Sequence, residues 1–262
     1  MMQKKRKSRA KRSLGQNFLV DANYQNKIID VVKNSYNGET ILEIGPGRGA
    51  LTQHLVPIAK KLILVEKDVA LAKQLQETYA DHDHVLVIQA DFIKWDLPTH
   101  KDIIVVANLP YNVASQILIK IFKQSKHFKT LYIMLQKEMA QRAIAIPSTK
   151  DFSVFSIWCQ LFSLPQKLFH LPPTAFSPKP KVTSTFLALR ICERDYEEEK
   201  EFILFIKQLF NQRRKKISTT LKNSGIPLEN ISDSLRDKID KRAEALSIGE
   251  LKELFFDIQQ LV

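Results

Sequence analysis

Apolar residues along this chain gather in short runs separated by polar turns. Five runs are rich in leucine and β-branched residues and read as strands: Thr40–Ile44, Leu62–Glu66, Val85–Gln89, Ile103–Ala107 and Leu131–Leu135. Between them the apolar spacing changes to that of a helix, as in Val69, Ala72 and Leu75 after the second run. Strands alternating with helices predict a parallel, doubly wound, Rossmann-like α/β sheet. A later run, Val182–Ile191, follows the proline-rich LPPTAFSPKPK and is expected to join that sheet. Beyond it an acidic cluster, DYEEEKE, leads into helical spacing through Phe202, Phe205, Leu209 and Phe210, and then Ile248, Leu251, Leu254 and Phe255. No strand signal returns. The expected division is a basic tail over 1–12, an α/β domain over 13–191 and a small C-terminal all-helical domain over 192–262.

With 262 residues and 44% hydrophobic content the chain can bury a substantial core. Its net charge of +12 is not demanded by such a fold and predicts attraction to polyanions, nucleic acid first and an anionic membrane surface second. Cys159 and Cys192 lack metal-ligand spacing and sit among apolar neighbours, so no metal site and no disulfide is expected, and the compartment reads as reducing. The start, MMQKKRKSRAKRS, has charge without an apolar stretch behind it, unlike a secretory signal. The longest apolar tract, around Phe152 to Leu164, falls short of the ~20 residues a membrane span needs and is interrupted by Ser153, Ser156 and Gln160. A cytoplasmic protein without a membrane partner is expected.

The segment ILEIGPGRGAL places Glu43, Gly45, Gly47 and Gly49 where the first strand turns into a helix. Glycines allow close approach of a ligand, and a helix start offers free N–H groups. On spacing alone, Gly45, Gly47 and Ala50 also satisfy a relaxed dinucleotide pattern, with Glu66 at the distance of a ribose ligand. Two residues favour another ligand: Pro46 removes a loop N–H that a pyrophosphate would use, and Glu43 adds negative charge. S-adenosylmethionine, which carries a sulfonium, an ammonium and no phosphate, suits the loop better. Glu66 and Asp91 close the next two strands, and ligands of open α/β sheets bind at such strand ends. Glu66 is therefore expected to accept the ribose hydroxyls, and Asp91 the exocyclic amine of an adenine.

The fourth strand ends in Asn108-Leu109-Pro110-Tyr111, beside the same crevice. An adenine amine is a poor nucleophile because its lone pair is delocalised into the ring. The side-chain oxygen of Asn108 and a backbone carbonyl such as that of Leu109 can hold its two hydrogens and favour a pyramidal nitrogen. Pro110 biases Leu109 toward an extended conformation that presents this carbonyl, and Tyr111 can stack on a base removed from its helix. Alignment and electrostatics suffice; no strong base is required.

NLPY, EIGPGRG, the upstream LGQNFL and the later FNQRRK occur in this order, and together the chain resembles the rRNA adenine N6-dimethyltransferase family, nearest to its bacterial small-subunit branch. The likeness extends from Ser13 to Leu221 and implies a class I methyltransferase domain with S-adenosylmethionine as cofactor. It also implies cofactor contacts from Asn17 and Leu19 near the methionine end, contacts at Gly45, Gly47, Glu66 and Asp91, and an Asn108 that serves the target amine next to the cofactor. Phe176, in PPTAFSPKPKV, would be a second stacking face opposite Tyr111. From local spacing alone, Gln16 and Asn17 read instead as a surface cap before a helix starting near Asp21. Val113-Ala114-Ser115 departs from the Ile-Ser-Thr-like sequence more usual after this motif.

Basic clusters lie at Lys4 to Arg12 and at Arg213-Arg214-Lys215-Lys216, the latter expected on a helix. Next to a base-modifying site, Arg213, Arg214 and Lys215 are expected to hold RNA phosphates. The implied reaction is N6,N6-dimethylation of two adjacent adenosines in a hairpin near the 3′ end of small-subunit (16S) rRNA. The partner would be a 30S-type particle, acted on by a monomer with a part in small-subunit biogenesis. The alternatives are a large-subunit methyltransferase of the antibiotic-resistance type and a non-enzymatic assembly factor. A dinucleotide oxidoreductase would leave NLPY and the basic charge without a role.

Overall fold

The computed structural model describes residues 16–97 and 100–260. The basic tail over 1–12, with its cluster Lys4 to Arg12, lies outside the described residues. In chain order the first elements are β1 (Phe18–Leu19), α1 (Ala22–Ser35), β2 (Thr40–Ile44), α2 (Thr52–Leu55), β3 (Lys61–Glu66), α3 (Val69–Thr78), β4 (Val85–Gln89) and β5 (Ile103–Asn108). Then follow α4 (Ala114–Lys123), β6 (Phe128–Gln136), α5 (Lys137–Ala143), α6 (Val154–Phe162), β7 (Ser163–Leu171), β8 (Phe176–Ser177) and β9 (Ser184–Ile191). The remaining helices are α7 (Tyr196–Asn211), α8 (Ile217–Asn223), α9 (Arg236–Ile239) and α10 (Ile248–Gln259).

The main sheet has the order β4-β3-β2-β5-β6-β9-β7. The pairs β4·β3, β3·β2, β2·β5 and β5·β6 are parallel, and β9 joins β6 antiparallel. The expected α/β architecture is therefore present, with the late strand reversed. Central strands TILEI, KLILVE and IIVVAN are buried almost throughout, the signature of parallel strands covered on both faces. Their apolar side chains pack with Ile28, Val32 and Leu55 of the flanking helices and with Phe186 of β9. Strand order reverses between β2 and β5, which opens a crevice at the strands' carboxyl ends. Asp21 and Asp68 start α1 and α3 by accepting from N–H groups of the first turn, at 2.9 Å from Asn23 and Ala70 respectively.

Edge strand β7 and a separate two-stranded sheet gave no sequence signal. β7 carries Pro165, Lys167 and His170 and is half exposed, because it is an edge strand, where proline and charge are tolerated and blunt pairing with other chains. The two-residue strands β1 and β8 pair antiparallel, with Leu19 opposite Phe176.

The chain forms two compact units, one reaching to Ala140 and including Gln166–Ile191, the other joining Gln141–Pro165 to the residues from Cys192 onward. The second unit thus starts at Cys192 after the last strand but also takes in residues 141–165, which the expected division leaves in the α/β domain. The reason is aromatic packing: Trp158 stacks on Tyr196 at 5.9 Å between ring centroids, and Phe152 meets Phe210 edge-on at 6.2 Å. Among the described residues no helix is long and apolar enough to cross a membrane.

Candidate active site

A cavity opens at the carboxyl ends of β2, β3, β4 and β5. Its lining includes Asn17, Leu19, Gly45, Gly47, Glu66, Asp91, Asn108, Leu109 and Tyr111, so the structure brings together nearly all of the residues expected there. The turn after β2 depends on two glycines. Gly45 (φ +66°) and Gly47 (φ +61°) both occupy the left-handed region. A Cβ on Gly47 would lie 3.0 Å from the Phe18 ring, whereas one on Gly45 would meet nothing within 4 Å. One glycine admits Phe18, and the other keeps its face of the cavity clear. The Arg48 guanidinium lies 4.3 Å from the centroid of the same Phe18 ring.

Glu66 is buried and ties the turn to the start of α3. Its two oxygens accept from Gly47 N–H at 2.9 Å and Asp68 N–H at 2.8 Å. A carboxylate has about four acceptor positions, so capacity remains for a ligand. Burial raises the pKa of Glu66, opposed by backbone hydrogen bonds from Asp68, Gly47 and Lys67. Glu43, 3% exposed, accepts from the Thr52 hydroxyl at 2.7 Å. Burial first, and then the neighbouring Glu66 charge, push its pKa up to about 8. Burial thus works against the negative charge expected at Glu43. A cation in the cavity would favour its ionised form.

Asp91 lies at the cavity rim, in an ion pair with Lys67 at 2.8 Å, and accepts from Ile93 N–H at 3.1 Å. The Lys67 contact is the main cause of its lowered pKa. Asn108 donates from Nδ2 to the Asn17 carbonyl at 2.8 Å, which leaves Oδ1 as the amide's acceptor. Asn17 therefore stands at the cavity and is no surface cap; Asp21 caps α1 instead. Leu109 is buried. The Tyr111 hydroxyl pairs with that of Ser184 at 2.9 Å, fixing the ring by its far end, and burial raises its pKa.

Two expectations meet a different structure. Phe176 is not part of the cavity lining: 3% exposed, it packs in the core with Leu19, Leu171 and Ala175. The run Arg213 to Lys216 is not helical but forms the turn between α7 and α8. Within it, Arg213 pairs with Glu244 and donates to the Lys150 carbonyl, and Lys216 pairs with Asp240 at 2.8 Å. Arg214 and Lys215 are exposed and form no ion pair among the described residues. Residues the sequence did not mark are Lys67, Thr52, Phe18 and Ser184, which enter through tertiary pairing alone. Among the described residues there is no cluster of His, Cys, Asp or Glu able to hold a metal.

This arrangement defines a class I methyltransferase-like crevice, and comparison with known proteins identifies the class. The family described as Ribosomal RNA adenine dimethylase matches residues 7–259, and the chain belongs to that family. A protein of Alkaliphilus oremlandii named Ribosomal RNA small subunit methyltransferase A is 38% identical, over 91% of this chain and 88% of its own. One of the same name from Mycoplasma mobile is 36% identical, over 95% and 98%. Among solved structures, a dimethyladenosine transferase from Plasmodium falciparum superposes with a TM-score of 0.80 at 25% identity, covering 92% of this chain and 97% of that one. The 23S rRNA methyltransferase ErmE shares the fold, with a TM-score of 0.68 at 22% identity over 93% and 100%. The chain is accordingly an rRNA adenine dimethyltransferase.

Proposed function

We propose that the chain uses S-adenosylmethionine to convert two adjacent adenosines, in a hairpin near the 3′ end of small-subunit (16S) rRNA, to N6,N6-dimethyladenosine. It acts as a monomer on a 30S-type particle. The small-subunit assignment is supported by relatives named for that subunit along nearly their whole length.

The residues present fit the cofactor. The Gly45 face of the turn is open, buried carboxylates replace the ring of N–H donors that a pyrophosphate needs, and Pro46 lacks an N–H altogether. Glu66 would hold the ribose hydroxyls with its remaining acceptor positions, Asp91 the adenine amine, and Asn17, Leu19 and the Gly45–Gly47 turn the methionine end. When bound, S-adenosylmethionine supplies an electrophilic methyl group next to Asn108.

The observation that carries the mechanism is the Asn108 amide, anchored at Nδ2 by the Asn17 carbonyl. With Nδ2 committed, Oδ1 accepts one hydrogen of the target amine, and the Leu109 carbonyl accepts the other. The nitrogen's lone pair is then freed from the ring. Tyr111, held at its hydroxyl by Ser184, gives the flipped base a stacking face. Once the nitrogen has gained a methyl group it is cationic and loses its proton to an ordinary acceptor, so a strong base has no task. For the second transfer a single N–H remains, and one acceptor suffices to orient it. The test is incorporation of labelled methyl from S-adenosylmethionine into isolated undermethylated small subunits. Label in adenosines of the 3′ hairpin is expected; no incorporation would refute the proposal.

A further inference from the structure

The wall of the cavity beyond Asp91 is a single turn of backbone. The N–H groups of Lys94 and Trp95 both donate to the Asp91 carbonyl, each at 2.9 Å, and Ile93 N–H donates to the Asp91 side chain. Such a turn leaves its later carbonyls without partners of its own. They point instead at one ammonium: Lys120 Nζ donates to the carbonyl of Phe92 at 2.8 Å, of Ile93 at 3.1 Å and of Trp95. A lysine has three N–H donors, and here each meets a carbonyl. The same Nζ lies 5.3 Å from the centroid of the Phe92 ring.

Lys120 sits on α4, one turn after Ile117, and residues three apart share a helix face. That face therefore contributes both an apolar part of the lining, Ile117, and the clamp on the turn beside it, whose Phe92 and Ile93 also line the cavity. Lys120 itself does not.

We propose that Lys120 is a positioning residue that fixes the turn after Asp91 and thereby sets how selectively the site accepts adenine in its cofactor. This rests on the reading that the Asp91 end takes the adenine. With the three carbonyls drawn to Lys120, the turn keeps Asp91 and its neighbouring N–H groups at a fixed distance from the base edge. Without the ammonium the carbonyls repel one another or turn to water, and the Asp91 carboxylate loses its register.

The test uses the full chain and Lys120→Met, which keeps the apolar stem and removes the three donors. Titration calorimetry with S-adenosylhomocysteine and with its inosyl analogue, whose base carries a carbonyl in place of the amine, measures affinity and base preference. The expected result is binding of the adenosyl compound weakened by about tenfold, or ~1.4 kcal/mol. The preference over the inosyl compound should narrow by a similar factor, which a general loosening of the fold would not produce. Unchanged affinity and preference in a folded Lys120→Met protein would overturn the proposal. Asp91→Asn separates the two readings: if it narrows the preference while Lys120→Met does not, only the role of Lys120 fails. If neither variant changes the preference, the placement of adenine at this end fails as well. Should Lys120→Met not fold, hydrogen exchange of the wild-type protein decides: the amides of Ile93, Lys94 and Trp95 should be protected without ligand, and free exchange there would overturn the clamp.

Discussion

Asn108 is tied at Nδ2 and open at Oδ1, so replacing it separates chemistry from binding. Asn108→Ala should lower single-turnover methyl transfer by roughly 100-fold or more, the scale of losing a positioned polar group, with a smaller effect on cofactor affinity in calorimetry. Glu66→Ala removes a ligand acceptor and releases the Gly47 and Asp68 N–H groups together. Cofactor binding should weaken by about 1.5–3 kcal/mol, the range for a hydrogen bond to a charged group. Glu43 makes a prediction about pH. Its folded pKa, about 8, stands above the ordinary value of 4.5, so the unfolded chain gives up this proton first as pH rises. Its contribution to stability is therefore complete below about pH 4.5 and is lost as pH climbs through about 8. Thermal melts of the ligand-free protein should show this decline between pH 6 and 8, and Glu43→Gln should abolish that part of it. Gly45, Glu66, Asp91 and Asn108 were legible in the sequence because each directly follows or ends an apolar run, and strand ends converge. The stacking role of Phe176 came only from the family resemblance, whereas a lone phenylalanine between prolines reads by itself as packing, which is how the ring sits here. Ser184 and Lys67 were invisible because their roles are contacts with residues chosen by the fold.

At the scale of elements, the turn between α7 and α8 divides its four cations by partner. Arg214 and Lys215 are the pair able to meet phosphates without giving up an ion pair. Replacing both by Gln should weaken RNA binding and reduce the slope of log affinity against log salt by up to about two, since each phosphate contact contributes ~0.7–0.9. Arg213→Gln should instead act on the helical unit, costing up to about 1 kcal/mol in denaturant unfolding, because its pairing with Glu244 is partly solvent-screened. The sequence suggested a helix here because it holds no glycine or proline; the chain turns nonetheless, and Arg213 uses that turn to reach Glu244 and the Lys150 carbonyl. The boundary expected at residue 192 followed the last strand signal. α6 joins the helical residues as well, because its Trp158 finds its aromatic partner in Tyr196, a pairing no local pattern announces. Strands β2 to β5 were readable for the opposite reason: buried on both faces, they are written as unbroken apolar runs.

For the whole molecule, the net charge of +12 brings the chain to RNA without regard to sequence, so charge alone cannot choose between ribosomal subunits. The choice must come from the folded shape of the RNA that presents the target. Isolated small subunits should therefore be better substrates than the naked RNA extracted from them, compared at equal salt. The most direct test of the proposed activity is mass spectrometry of rRNA from undermethylated small and large subunits, incubated together with the protein and S-adenosylmethionine. The predicted product is N6,N6-dimethyladenosine at two adjacent positions near the 3′ end of the small-subunit RNA, with the large-subunit RNA unchanged; methylation confined to the large-subunit RNA would contradict it.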